Sequence, residues 1–119
     1  MDCIFCKIVN GEINSYKIYD DELVIAFLDI NPMTTGHTLI VPKKHNKDIE
    51  DIDEKTLIHI MNIAKKIKSK MEEKLNIDGI TLIQNNGDVQ DVKHFHLHLK
   101  PYYKENLELD IKKVYDLLS

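Results

Sequence analysis

The sequence predicts an α+β fold: an antiparallel sheet of about five strands, one long helix, and short helices near the N- and C-terminal ends. Three observations lead there. Five short segments are rich in β-branched and aromatic residues, and each is bounded by turn residues. One long stretch carries apolar residues at steps of three or four. The order (short helix, strands, long helix, strands, helix) is not the regular alternation of a βαβ repeat.

Over residues 4–9, Ile4, Phe5, Ile8 and Val9 recur at helical spacing and Asn10-Gly11 stops them, which predicts one or two helical turns. Residues 16–19 and 23–28 read as a hairpin around Asp20-Asp21-Glu22. Asp29-Ile30-Asn31-Pro32 turns the chain, Thr34-Thr35-Gly36 extends the loop, and residues 37–41 form a strand that Pro42 ends. The long helix spans 53–75, with Leu57, Ile60, Met61, Ala64, Ile67, Met71 and Leu75 on its apolar face and lysines opposite. Its acidic entrance, residues 51–54, suits the helix dipole, and Asn76 and Gly79 close it. Residues 79–84 and 95–99 are strands, joined through a tight Asn85-Asn86-Gly87-Asp88 turn. Leu107, Ile111, Val114 and Leu118 predict a last helix.

At 119 residues the chain suits a single domain, 1–119, with one core. Its 43% apolar and 30% charged residues, with only 4 Gly and 3 Pro, exclude a disordered or fibrous protein. A net charge of −4 and no basic stretch argue against general nucleic-acid or anionic-membrane binding. All 16 basic residues are lysine, so no guanidinium can clamp a phosphate; lysine, histidine, backbone N–H groups or helix N-termini must do it. No run of 18 apolar residues predicts a membrane span, and the first residues lack the pattern of a signal peptide, so a cytoplasmic protein is expected. In a reducing compartment Cys3 and Cys6, spaced C-x-x-C, read as a metal half-site or as buried thiols rather than as a disulfide.

The strongest chemical signal is His94-Phe95-His96-Leu97-His98-Leu99. Alternate residues of a strand share a face, so three imidazoles line one side while Phe95, Leu97 and Leu99 pack on the other. Such a row could chelate a transition metal. It could equally supply a nucleophilic imidazole with neighbours that orient it and neutralise developing charge. His37 lies upstream in Pro32-x-x-x-Gly36-His37-Thr38-Leu39-Ile40-Val41-Pro42-Lys43-Lys44-His45, and Asn85-Asn86-Gly87 precedes the triad.

With Cys3-Ile4-Phe5-Cys6-Lys7-Ile8, Gly11-Glu12-Ile13, Ala26-Phe27-Leu28-Asp29-Ile30-x-Pro32 and Gln90-x-Val92-x-His94-x-His96-x-His98, these motifs span residues 3–98. The sequence resembles the histidine triad (HIT) superfamily, in its Hint-like branch of small nucleotide-binding hydrolases and transferases. The resemblance implies the HIT fold and a homodimer in which the sheets of two protomers join. It implies attack at the α-phosphate of a nucleoside phosphoramidate or related AMP conjugate by His96, through a nucleotidyl-histidine. His98 then matches the residue that contacts phosphoryl oxygens and assists the leaving group, with a protonated imidazole supplying charge; His94 orients the nucleophile, and His37 completes the cluster. Asp29 matches the acceptor of the ribose hydroxyls, and Asn85 and Gln90 lie toward the phosphate. Ile4, Phe5, Ile8, Ile13, Phe27, Leu28 and Leu39 match the apolar pocket for a purine. Relatives that bind structural zinc use the positions of Cys3, Cys6, His45 and His94, a closed set without a water ligand; no organic cofactor is implied. The alternatives are a dinucleoside polyphosphate hydrolase using the same histidine, or a zinc-stabilised nucleotide-binding module with little turnover.

One departure from the usual pattern falls between the Asn-Gly turn and the triad. There N-x-G-x-x-A-G-Q-x-V-x-H is shorter by two residues, and the Ala-Gly pair is missing before Gln90. His59, on the long helix, has no partner in the sequence and reads as structural or solvated.

Overall fold

The computed structural model describes residues 3–119, which run through α1 (Ile4–Val9), β1 (Lys17–Asp20), β2 (Val24–Leu28), β3 (Thr38–Pro42), α2 (Glu54–Leu75), β4 (Gly79–Gln84), β5 (Leu97–Tyr102) and α3 (Ile111–Leu118). The five strands form one antiparallel sheet in the order β1-β2-β3-β5-β4. The expected α+β architecture, a five-stranded antiparallel sheet with one long helix and two short ones, is what the chain adopts.

The sheet is covered on both faces. On one, Val24, Ala26, Leu28, Ile40, Leu97 and Leu99 pack with Ile60, Ile63, Ala64, Ile67, Met71 and Leu75 of α2 and with Val114 and Leu118 of α3. On the other, Ile25, Phe27, Leu39 and Val41 meet Phe5 and Ile8 of α1. Every residue of β2 and β3 is therefore buried, and these strands read as continuous apolar runs rather than alternating ones.

The α2 stripe differs from the sequence reading at two places. Ile63 is buried, whereas Met61 is 43% exposed. At about 100° per residue, Met61 stands a quarter-turn round from Ile60, while Ile63 and Ala64 flank it one turn on. The helix ends at Asn76, whose left-handed backbone (φ 52°) closes it; Gly79 instead opens β4.

Pro42 ends β3 as its last residue, paired with Val24. The last strand begins at Leu97, two residues later than its pattern suggests, because other bonds claim the residues before it. The Phe95 N–H donates to the Asn46 carbonyl (2.7 Å) and the His94 imidazole to the Pro42 carbonyl (2.8 Å), pinning 94–95 to the loop after β3. Likewise residues 85–88 are not a two-residue hairpin: a 3-10 turn at Gly87–Val89 opens a longer connection down to the histidines.

Candidate active site

Two clusters of side chains share α1 and the start of β5. The first is Cys3, Cys6, His45 and His94, whose ligand atoms all lie within 4.8 Å of one another. Cys3 Sγ is 3.3 Å from His94 Nδ1, Cys6 Sγ is 3.2 Å from His45 Nδ1 and 3.6 Å from His94 Nδ1, and the two Nδ1 atoms are 3.2 Å apart. A tetrahedron with metal–sulfur bonds of about 2.3 Å and metal–nitrogen bonds of about 2.0 Å has edges of roughly 3.3–3.8 Å. The outer contacts fit as well. His94 Nε2 donates to the Pro42 carbonyl, so Nδ1 presents its lone pair to the cluster, and the Cys6 N–H donates to Cys3 Sγ (3.4 Å). Burial and the neighbouring Cys3 push the Cys6 thiol up to about 11, so metal binding there displaces protons. This is a closed Cys2His2 site for structural zinc.

The second cluster lines a cavity of about 470 Å³. Ile4, Phe5 and Ile8 from α1, with Ile13, Phe27, Leu28 and Leu39, give it an apolar end; Asp29, Asn85, His37, His96 and His98 give it a polar one. All seven expected apolar residues, and all the polar ones but two, thus meet in one place. His94 is absent from the lining because its ring belongs to the metal cluster. Gln90 is absent because its side-chain amide donates to the Lys47 carbonyl (2.8 Å), turning it into the loop after β3. The shortened connection is anchored there.

His94 nevertheless touches the chemistry through its backbone. Its carbonyl accepts a hydrogen bond from His96 Nδ1 (2.7 Å). That bond places the His96 proton on Nδ1 and leaves Nε2 with a free lone pair, the form a nucleophile needs. The edge of Phe5 packs on the same ring, with centroids 5.1 Å apart. His98 and His37 are chained in a fixed sense. The Met33 N–H donates to His37 Nδ1 (3.1 Å), so His37 carries its proton on Nε2 and gives it to His98 Nδ1 (2.9 Å). A neutral His98 is left with an Nε2–H to donate. This hydrogen-bonded pair, with Asp29 Oδ2 3.8 Å from His37 Nε2, offers no free lone pair to a metal.

The expectation of a protonated His98 is corrected. Burial, followed by the charges of His96, His37 and Lys100, brings its pKa down to about 4, and burial also lowers His37. Both are neutral near pH 7 and act as dipoles, not cations. The unfolded chain binds their protons near 6.5 and the folded one only below that, so stability is present above this range and is lost as pH falls toward 4. For His98 alone the loss is on the order of 2 kcal/mol after allowance for residual solvent screening. Urea unfolding of metal-free protein between pH 7 and 4 is expected to show it, with a smaller loss in His98→Gln; equal losses would refute the assignment.

The sequence reading did not place Lys100, Ile30 and Met33 in the lining, where they stand beside Asp91. Lys100 was within reach, because it follows His98 by two on the same strand and so shares its face. Ile30 and Met33 arrive on a loop whose closure has no local signature. His59 does have a partner: its Nε2 lies 2.5 Å from Asp21 Oδ2, which also accepts from Tyr19 Oη. Burial raises the Asp21 carboxyl, but hydrogen bonds from Tyr19, His59, Val24 and Leu23 outweigh it and hold it well below the usual range. The link ties α2 to the β1–β2 turn.

The HIT domain family profile matches residues 10–105. An uncharacterized HIT-like protein of Methanocaldococcus jannaschii is 48% identical over 111 residues, covering 90% of this chain and 84% of the relative. The adenosine 5'-monophosphoramidase of Saccharomyces cerevisiae is 43% identical over 101 residues, covering 83% of this chain and 61% of the enzyme. A zinc-bound histidine triad family protein from Mycobacterium smegmatis superposes with a TM-score of 0.91 at 34% identity, covering 99% of this chain and 91% of that one.

Proposed function

The chain belongs to the HIT family, and from that premise we propose that it hydrolyses purine nucleotide conjugates at the α-phosphate, His96 being the nucleophile. The observation that carries this reading is the His96 ring itself, buried, with Nδ1 bonded to the His94 carbonyl and its other nitrogen available at the cavity wall. In the first half-reaction His96 Nε2 bonds to phosphorus as the P–N bond breaks, and the departing nitrogen takes up one proton from solvent. In the second, water breaks the Nε2–P bond, releases AMP and returns one proton to solvent. The His98 Nε2–H serves as a preorganised donor to the phosphoryl oxygens. Asp29 accepts from the ribose, the apolar end holds the base, and Asn85 faces the phosphate. Similarity to a yeast monophosphoramidase supports the P–N bond as the one cleaved.

The test is to incubate the protein with adenosine phosphoramidate, follow AMP release, and seek a nucleotidyl adduct on His96 after acid-free quenching. Equal inactivity of wild type and His96→Ala, with AMP still bound by both, would leave a zinc-stabilised nucleotide-binding module instead.

The same reading includes a homodimer. Strand β4 lies at the sheet edge, paired only with β5, and Thr81 and Leu82 on it are exposed. Light scattering is expected to give twice the 13.9 kDa chain mass, falling to the monomer in Leu82→Asp; a monomer in the wild type at micromolar concentration would exclude it.

A further inference from the structure

The cavity that holds the histidines also holds one lysine. Lys100 stands on β5 two residues beyond His98, and its side chain is among the lining groups. Leu97, Leu99 and Pro101, the alternate residues of the strand, are buried in the opposite direction against the helices. Lys100 is half-buried, and no described residue accepts a hydrogen bond from its ammonium or forms an ion pair with it. Its charge is nevertheless felt at both His37 and His98, whose protonation it disfavours, so the ammonium lies on their side of the strand.

This placement matters because nothing else in the lining supplies a full positive charge. The chain has no arginine, and the described lining contains no other lysine. The two carboxylates there, Asp29 and Asp91, add negative charge, and Asp29 is already engaged by the Asn31 N–H (2.8 Å). An ammonium at the wall of the cavity with no ion-pair partner among the described residues is the complement of an anion carried by the ligand. Residues two apart on a strand are separated by roughly 6.7 Å. The Phe5 ring of the apolar end packs 5.1 Å from the His96 ring, and Lys100 follows His98 in the opposite direction along the strand, so with the α-phosphate at His96 and His98 the ammonium lies beyond it from the base, where a leaving group would extend.

We propose that Lys100 selects the leaving group, its ammonium binding an anionic substituent there, so that the preferred substrates are AMP conjugates whose leaving group carries its own carboxylate or phosphate. This rests on attack at the α-phosphate by His96 and adds the substrate class.

Two matched conjugates test it: AMP joined through nitrogen to alanine, with a free carboxylate, and AMP joined to alaninamide, with none. A diadenosine polyphosphate gives the phosphate arm. In wild type, kcat/KM is expected to favour the alanine conjugate over the amide, and Lys100→Met to lower that ratio about tenfold, the loss of roughly 1.4 kcal/mol. Lys100→Arg should restore most of it. The wild-type preference should also shrink between 0.05 and 0.5 M salt, which a purely structural lysine would not produce. A loss seen only with the polyphosphate identifies phosphate as the anion, and a loss with the alanine conjugate identifies carboxylate. Equal losses on acid and amide, or no change on any anionic substrate, overturn the proposal. To separate its failure from that of His96 catalysis, the dissociation constants of both alanine conjugates are measured in His96→Ala with and without Lys100→Met. A charge preference that persists there and disappears with Lys100 upholds the selection even where turnover is absent.

Discussion

His96→Ala is expected to lower the turnover of an adenosine phosphoramidate by about four to six orders of magnitude, leaving binding of AMP within a few-fold of wild type. The two effects separate because the ring does two different jobs. In the ground state His96 contributes a small part of the lining, next to seven apolar side chains and Asp29 that remain in place. On the proposed mechanism its Nε2 is the atom to which phosphorus transfers, and no neighbouring imidazole is placed to take over. His98 has its Nδ1 engaged by His37, so a donor, not a lone pair, faces the cavity, and the His94 ring is committed to the metal cluster. Nucleophile deletions in enzymes of this kind leave only the catalysis that binding and oxyanion donors provide. Steady-state kinetics with isothermal titration of AMP measures both quantities. A residual rate within a hundredfold of wild type would mean that the cavity uses another nucleophile, such as water.

Removing zinc is the second large perturbation. The four ligands come from α1 and its N-cap, the loop after β3 and the run leading into β5, so the ion ties the start of the chain to two segments that lie far from it in sequence. A ligand present at roughly a hundredfold over its dissociation constant stabilises by about 2.7 kcal/mol, and for a chain of this size its loss lowers the unfolding midpoint by about 10 °C. The effect should reach the cavity, because α1 carries Cys6 on one side and Ile4, Phe5 and Ile8 on the other. After chelation, or in Cys6→Ser, the amides of residues 7–10 are expected to exchange faster with deuterium, and AMP to bind at least tenfold more weakly. Metal analysis of protein purified without chelator should give one zinc per chain. Stoichiometry near zero with an unchanged melting point would remove the site.

Much of this was legible beforehand for a simple reason: alternation along 94–99 writes two faces in six residues, and the cysteine pair is close in sequence to its own helix. The order and type of each element followed from local periodicity, down to the six residues of α1. What escaped depended on partners distant in sequence. The start of β5 is set by Asn46 and Pro42, the position of Gln90 by Lys47, and the partner of His59 by a turn that lies 38 residues away. The charge of His98 could not be read locally either. An imidazole next to a phosphate site invites a cation, but burial among other imidazoles makes it neutral. Lys100 continues the same alternation one step past the last histidine, but Pro101 after it reads as the end of a strand and hides that the pairing runs on to Tyr102.

The pairing of β5 with β3 joins Leu39 to His98 and Ile40 to Leu97. A slip of one residue would exchange the faces at a stroke. Leu97 and Leu99 would turn to the cavity, and His98 and Lys100 would enter the helix-covered core. Burying the two leucines against the helices therefore also sets His98 and Lys100 at the cavity wall, so core packing and site assembly rest on one choice of register.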